Sequence, residues 1–524
     1  VAIKIYDTTL RDGMQGESIT FTLEEKLDVA RHLDSIGIHY IEGGFPLSNK
    51  KEEAFFKEIK KNPLTNARIA SFGSTRRPGG SSDKDLHIKA LLDSETPAVT
   101  IVGKSWTKHV TEVIGTDLKE NLNMIADSVS YLKKQGREVI FDAEHFFDGF
   151  KENAAYAVKT VKVACENGAD VAVLCDTNGG SVHTDIIKAL EGVKAAGNFN
   201  LGVHIHNDTG LAVANSLLAL DYGCTHIQGT INGWGERCGN ANLCTIIPNI
   251  HFKIDNTVFT AKQLAGITAA SRYISELANI IPDERQPYVG LSAFAHKAGQ
   301  HADVINKNAR LMEHLDSSKV GNARRLLLSE LAGKSTIVSK LRKFGSYDKK
   351  SEEVNKVIHH LKTLENKGYE YEAAEASFEL IIRKILNIYH PLFELLHYEV
   401  ESFQSGKENS KTFARVKVLI NERTYSGAAT GHGPVGALDA ALRDAITRQL
   451  PFISNIKLVD YKVRVLNCKS AAQSKVRVFI TSSNNNEKWT TVGVSENIIE
   501  ASYEAILDSF EYIYNNQQPS STKN

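Results

Sequence analysis

The chain has 524 residues, 42% of them apolar and 24% charged, with 62 Lys and Arg balanced by 62 Asp and Glu. Such proportions belong to a soluble globular protein of two or three domains, and the zero formal charge argues against a dedicated nucleic-acid or membrane-surface binder. No apolar run approaches the roughly 20 residues that span a bilayer, and the first residues enter a strand without a signal-like segment. If the mature protein begins here, it is expected in the cytoplasm.

Up to about residue 252 one pattern recurs eight times: a short β-rich run, a polar turn, then a helical stretch. The expected strands are 3–6, 39–41, 68–72, 98–102, 138–141, 170–174, 201–205 and 226–229. Segments such as 24–36, 118–133, 153–166 and 185–195 carry apolar residues at helical spacing. Near-continuous apolar strands alternating with helices imply a parallel sheet buried on both faces. Eight such units predict a (β/α)8 barrel over residues 1–255. A doubly wound sheet is the alternative, but the first strand–helix turn lacks its G-x-G-x-x-G fingerprint.

Residues 256–391 read as a mostly helical linker, with 261–281 its clearest helix. From 392 to 515 strands return in two βββα repeats, an α+β module with an internal pseudo-twofold. Tyr398 is expected to match Tyr461 across the repeat, and Gly431 to match Gly493. The polar residues 516–524 are expected to form a disordered tail.

Six cysteines are scattered at 165, 175, 224, 238, 244 and 468, with no C-x-x-C pair, so neither a zinc cluster nor a disulfide framework is indicated. Cys165 and Cys175 read as small core residues. Cys238, in a Gly-rich run, either fills a tight loop or is a functional thiol.

A barrel assignment sorts the polar residues, because active sites of this fold lie at the C-terminal strand ends. Arg11, Asp12 and Gln15 follow the first strand, Glu42 ends the second, and Asp142 and Glu144 end the fifth. Asp176, Thr177 and Asn178 end the sixth, His204 and His206 the seventh, and Glu236 and Asn240 follow the eighth. For Asp208 or Asn178 a plain turn role is an equal alternative. His204 and His206 stand two apart on a strand, so both imidazoles face one way. With Asp12 from another strand, and Asn240 nearby, they make a credible site for a divalent cation: Mg, Mn, Fe, Co or Zn. Such a cation can polarise the carbonyl of a chelating 2-oxo acid. Arg11, beside the ligand Asp12, is placed to stabilise an oxyanion. Thr177 can bind a substrate carboxylate, Gln15 adds a carboxamide, and Glu144 can hold or protonate a product oxygen, unless it is merely ion-paired at the mouth. His301 and Asp303 look like a base and its orienting carboxylate.

D-T-T-L-R-D-G-M-Q (7–15), V-H-I-H-N-D (203–208) and N-G-W-G-E-R-C-G-N-A-N-L (232–243) together closely resemble the 2-isopropylmalate/homocitrate/citramalate synthase family, and the similarity runs through the whole chain. The ending T-V-G-V-S-E-N-I-I-E-A-S-Y-E-A (491–505) is similar to the branch that accepts pyruvate. The resemblance implies condensation of acetyl-CoA with a 2-oxo acid, then thioester hydrolysis. It implies that Asp12, His204 and His206 bind the metal with Asn240 close by, that Arg11 and Glu144 act on the developing alkoxide, and that Thr177 holds the keto acid. His301, with Asp303, would help remove the acetyl methyl proton and reach the barrel of a partner subunit in a homodimer. The C-terminal module would bind isoleucine as feedback inhibitor. Two departures are visible: Met14 stands where Glu is common, and Met312 where a Tyr is frequent, so Met312 is given no chemical role. Two rivals are a lyase of the hydroxymethylglutaryl-CoA type, which lacks the linker and the duplicated module, and a metabolite sensor that has lost activity.

Overall fold

The computed structural model describes residues 2–296, 304–305, 307–326, 334–404, 410–466, 474–485 and 487–518. Cys468, His301, Asp303 and the end of the tail fall outside them. Two compact units result, residues 1–294 with 315–324 and residues 295–314 with 325–524.

In the first unit eight parallel strands close into a barrel in chain order. They are β1 (Lys4–Asp7), β2 (Tyr40–Gly44), β3 (Arg68–Ser74), β4 (Ala98–Lys104), β5 (Glu138–Glu144), β6 (Val171–Asp176), β7 (Leu201–Ile205) and β8 (His226–Gly229). Closure is by β1 against β8, with Lys4 opposite His226 and Asp7 opposite Gly229. Alternation explains the apolar strands. Ile5, Ile41, Val99 and Val139 face the helices, whereas Tyr6, Tyr40, Ala98, Ile140 and Val173 fill the barrel interior. Local signals start the helices: α1 (Leu23–Ser35) has a Thr22–Glu25 capping box, and Asn49, Asp85 and Asp117 cap α2 (Lys50–Ile59), α3 (Leu86–Asp93) and α4 (Leu118–Lys134).

Several expected elements differ in extent; strands three, four and five, for example, run on to Ser74, Lys104 and Glu144, so Asp142 and Glu144 lie inside the fifth. Strand two runs on to Gly44, so Glu42 lies inside it. The helix expected from 153 begins at Phe146, and Asn153 kinks it at φ −148°. The helix expected over 261–281 is two, Ala261–Ala265 and Ile267–Leu277, with Gly266 between them. Both pack on the barrel core through Leu264, Ile267 and Ile274.

The second unit contains two three-stranded antiparallel sheets. One is Glu394–Phe403, Lys411–Ile420 and Arg423–Gly431, followed by the helix Pro434–Ile446; the other is Lys457–Val465, Val476–Ser483 and Lys488–Ser495, followed by the helix Ile498–Asn516. The repeat is real down to its irregularities: the register shifts after Leu395 in one first strand and after Leu458 in the other, each three residues before the matched Tyr398 or Tyr461. Gly431 and Gly493, however, are not equivalent. Tyr398 lies opposite Val416 and Tyr461 opposite Ile480. Gly431 pairs with Thr412, four residues before Val416, whereas Gly493 pairs with Val478, two before Ile480. The glycines are two residues out of step, on the same face because the side-chain period is two. The helices Lys334–Leu341, Glu352–Asn366 and Glu375–Ile385 share an apolar core with Val492 and Val494 of the second sheet.

Candidate active site

The chain leaves β1 through a tight turn in which the Arg11 and Gly13 amides both donate to the Thr8 carbonyl, at 3.1 and 3.0 Å. Asp7 serves this turn, accepting from the Thr9 amide (2.9 Å) and hydroxyl (2.8 Å), and burial pushes its carboxyl up to about 7. The turn delivers Arg11 and Asp12 to the barrel mouth. Across it, His204 Nε2 lies 3.0 Å from Asp12 Oδ2 and 3.4 Å from His206 Nε2. Asp12, His204 and His206 are all buried, and one ligand atom from each lies within 4.8 Å of the others. Asn240 is brought beside β7 because the loop after β8 folds back on it: the Ala241 amide donates to the Ile205 carbonyl, and the Asn240 backbone bridges to His206. That loop needs its glycines, since a Cβ on Gly239 (φ +84°) would lie 1.9 Å from the Gly233 carbonyl oxygen.

The donor set fits a divalent cation. Asn240 Oδ1 is buried without a hydrogen-bond partner, an arrangement that is costly unless something else satisfies it. The Gln228 Oε1 accepts from His204 Nδ1 at 2.9 Å while the Gln228 amide donates to Asp142 at 3.0 Å. Oriented in this way, Gln228 puts the proton on Nδ1 and turns the Nε2 lone pair to the ligand point. Burial alone would raise Asp12, but the Arg11 guanidinium and His204 hold it well below the usual carboxylate range. Burial and the neighbouring His204 push His206 down to about 4, so it offers a neutral imidazole.

Arg11 is fixed on three sides. Its Nε donates to Glu42 at 2.9 Å, its guanidinium carbon sits 4.0 Å from the centre of the Phe72 ring, and one terminal nitrogen lies 3.3 Å from Asp12. Burial pushes Glu42 up and Arg11 opposes that shift. Burial, with Glu42 next, pushes Asp142 up to about 7. Arg11, Asp12, Asp142, His204 and His206 line a cavity of about 270 Å³ whose apolar part is Phe72, Val102 and Cys175. Glu144 enters it paired with Lys104. The Thr177 oxygen accepts from the His145 amide at 3.0 Å, which leaves its hydrogen to donate into the cavity. Gln15 and Glu236 lie on the rim.

Several rim residues serve turns instead. Asp176 accepts from the Ser181 amide, Asn178 donates to Asp148, and Asp208 takes a two-pronged pair from Arg237. Met14 packs half-buried on the barrel core. Cys238 is exposed. Met312 follows a short 3-10 turn, Ala309–Leu311, in the second unit. The sequence reading passed over Gln228, Lys104 and Phe72. Gln228 had a usable signal, being two residues after His226 on an apolar strand and therefore on its inward face.

Residues 2–274 match the HMGL-like family, 288–369 the homocitrate synthase post-HMGL domain-like family, and 372–514 the LeuA allosteric (dimerisation) domain. The first match and the closed barrel define an enzyme of the HMGL-like class, in which Asp12, His204 and His206 form a candidate site for a metal ion. The chain is 47% identical over 513 residues to the (R)-citramalate synthase of Geobacter sulfurreducens, covering 97% of each, and 46% identical to that of Synechocystis, covering 97% of this chain and 95% of the relative. The 2-isopropylmalate synthase of Methanocaldococcus jannaschii stands further off, at 29% over 98% of this chain and 94% of its own. The chain belongs to the (R)-citramalate synthase family. No helix among the described residues is long and apolar enough to cross a membrane.

Proposed function

We propose that this chain condenses acetyl-CoA with pyruvate to give (R)-citramalate and CoA, a reading supported by its 46–47% identity to proteins named (R)-citramalate synthase. One observation carries the reading: Asp12, His204 and His206 converge beside an Arg11 that Glu42 and Phe72 hold in place. A divalent cation at these ligands, Mn or Mg by preference, would supply Lewis-acid polarisation of the acceptor's keto group. Thr177 donates to the pyruvate carboxylate. Phe72, Val102 and Cys175, the apolar part of the cavity, receive its methyl group. A base removes a proton from the acetyl methyl; by family resemblance it is His301, oriented by Asp303. The resulting carbanion attacks the keto carbon, and charge gathers on the former keto oxygen. Arg11 meets that oxygen with donors already in position, the arrangement in which such stabilisation is strongest. Glu144, held by Lys104, manages the proton that this alkoxide takes up. Hydrolysis of the thioester then releases CoA.

The division of labour is part of the same proposal. The barrel (1–255) performs the chemistry, the linker (256–391) carries His301, and the module (392–515) makes a homodimer and receives isoleucine as end product. Its match to a LeuA allosteric (dimerisation) domain supports this. The test is release of free thiol from acetyl-CoA with a panel of 2-oxo acids. Pyruvate is expected to lead; preference for 2-oxoisovalerate or 2-oxoglutarate would reject the assigned acceptor. Titration of the intact enzyme with isoleucine tests the regulatory part, and indifference to isoleucine and leucine alike would leave the module as a dimerisation element.

A further inference from the structure

Strand β2 does not run evenly to its end. Tyr40, Ile41 and Glu42 lie opposite Arg68, Ile69 and Ala70 of β3, but Gly44 lies opposite Ser71, so Gly43 is an extra residue in the ladder. A bulge of this kind bends its strand and re-aims the neighbouring side chain, which here is Glu42, the partner of Arg11. Two glycines make the bend possible. A Cβ on Gly43 would lie 2.5 Å from the Phe55 ring, and Gly44 stands at φ +122°, where a Cβ would lie 1.9 Å from Glu52 Oε2.

The bulge is closed over by a buried cation. Lys26, on α1, is fully buried. Its Nζ donates to the Gly43 carbonyl at 2.8 Å and to the two oxygens of Glu52, on α2, at 2.7 and 2.6 Å, which uses all three of its N–H donors. The centre of the Phe55 ring lies 5.0 Å from the same ammonium. Burial pulls the Lys26 ammonium down, and Glu52 opposes that shift. A buried ion pair is a poor source of stability, since apolar residues of similar volume commonly replace both partners without loss. Neither residue lines the cavity at the barrel mouth. What distinguishes the pair is its place, against the two glycines of the bulge.

We propose that Lys26 and Glu52 are positioning residues for the condensation: their ion pair clamps the β2 bulge, the bulge sets Glu42, and Glu42 sets the Arg11 guanidinium. The contacts run without a gap. Lys26 Nζ meets the Gly43 carbonyl, Glu42 is the preceding residue, and Glu42 Oε2 accepts from Arg11 Nε at 2.9 Å. Glu42 is completely buried and its Oε1 has no hydrogen-bond partner, so among the described residues its carboxylate is hydrogen-bonded to Arg11 alone. A shift of the bulge therefore reaches Arg11 with little to absorb it. A misplacement of about 1 Å caused far from the chemistry can cost about 10²-fold in rate. The catalytic half of this inference rests on the role given to Arg11 under the proposed function; the clamp itself does not.

The experiment compares Lys26→Met with Lys26→Met/Glu52→Met in the full-length enzyme saturated with Mn. The single variant leaves Glu52 buried without its cation and is expected to lose stability; the double variant removes both charges and is expected to melt close to the parent. Its turnover should nevertheless stay about tenfold or more below the parent, with the pyruvate KM and the calorimetric Mn affinity unchanged. In an Arg11→Lys background the same two substitutions should cost no more than about twofold, because the group they position is already gone. Turnover restored along with stability, or an equal loss in both backgrounds, would overturn the proposal and leave the pair a part of the core. A parent that turns over no 2-oxo acid would defeat the assigned reaction instead, and the crystal structure of the double variant would still decide the clamp. Gly43 drawn back into register with the Arg11–Glu42 hydrogen bond broken is the expected result; an unchanged bulge and hydrogen bond would overturn it.

Discussion

The two units bury carboxylates in opposite ways. At the barrel mouth each buried acid meets a fixed positive or nitrogen-bearing partner: Glu42 meets Arg11, and Asp12 meets Arg11 and His204. In the second unit Glu504, Asp508 and Glu511 accept hydrogen bonds only from neutral hydroxyls and amides, and the Lys384 ammonium opposes their upward shifts without pairing with any of them among the described residues. A carboxylate with a charged partner fixed in position can orient a reacting group; one hydrogen-bonded to hydroxyls alone keeps much of its cost of burial. The comparison teaches that burial marks neither unit as functional. What separates them is the kind of partner and whether it is preorganised.

If the mouth works through preorganised partners, the largest loss should follow removal of a ligand. His206→Ala should lower turnover by about 10³-fold or more, a loss of several kcal/mol of transition-state stabilisation, while calorimetric metal affinity collapses and circular dichroism stays native. Full turnover by metal-stripped enzyme would break the comparison at its root. Next comes Arg11→Lys, which keeps the charge and loses the planar fork that Glu42 holds. Turnover is expected to fall by about 10²-fold, as for loss of one oxyanion donor, with little change in the pyruvate KM. A loss confined to KM would make Arg11 a carboxylate clamp. Smaller again is Gln228→Leu, which removes the acceptor on His204 Nδ1 without touching a ligand. A metal affinity lower by about 10–100-fold, read by competition with a chelating dye, is the outcome expected of an orienting partner.

Much of this was legible in the chain, and the pattern of what was not has a physical cause. Strand–helix alternation is local, so the eightfold barrel could be counted, and period two sufficed to put His204 and His206 on one face. Asp12 could be added because every parallel strand of a barrel ends at the same rim. Gln228 and Lys104 could not be given their partners. Gln228 acts on His204 because β8 lies beside β7, and Lys104 on Glu144 because β4 lies beside β5. Those adjacencies follow from closure order, which residue spacing does not encode. The break at Gly266 was missed because a glycine between two apolar-periodic stretches reads as tolerated. His301 and Asp303 rest on resemblance alone. The acid stripe 504, 508 and 511 reads as a solvated face in isolation; its cover comes from Tyr369, Ser377 and Tyr389, more than a hundred residues earlier.

The smallest effect, and the one that sharpens the contrast most, is on stability. Burial raises the Asp508 carboxyl to about 7 in the folded chain, against 3.8 for an unperturbed aspartate. Between those values the folded state binds a proton that the unfolded state has released, so stability must fall as pH rises from about 4 to about 7, and it must flatten above. The cost at neutral pH is fully present once the folded-state carboxyl has ionised. Asp508→Asn removes that cost while an amide oxygen remains to accept from Ser377. The variant is therefore expected to gain on the order of 1 kcal/mol over the parent at pH 8, through the loss of a charge the parent does not neutralise, and to gain little near pH 4. Paired melting curves across that range check it, read as the difference between the two proteins so that the barrel's own titrations cancel. The same difference measured for Asp12→Asn should have the opposite sign at neutral pH, because the Arg11 guanidinium and His204 hold that carboxyl well below the usual carboxylate range and its charge therefore stabilises the folded chain. Equal signs would mean that the two units bury their acids on the same terms, and the distinction between a preorganised charged partner and neutral hydroxyls would go.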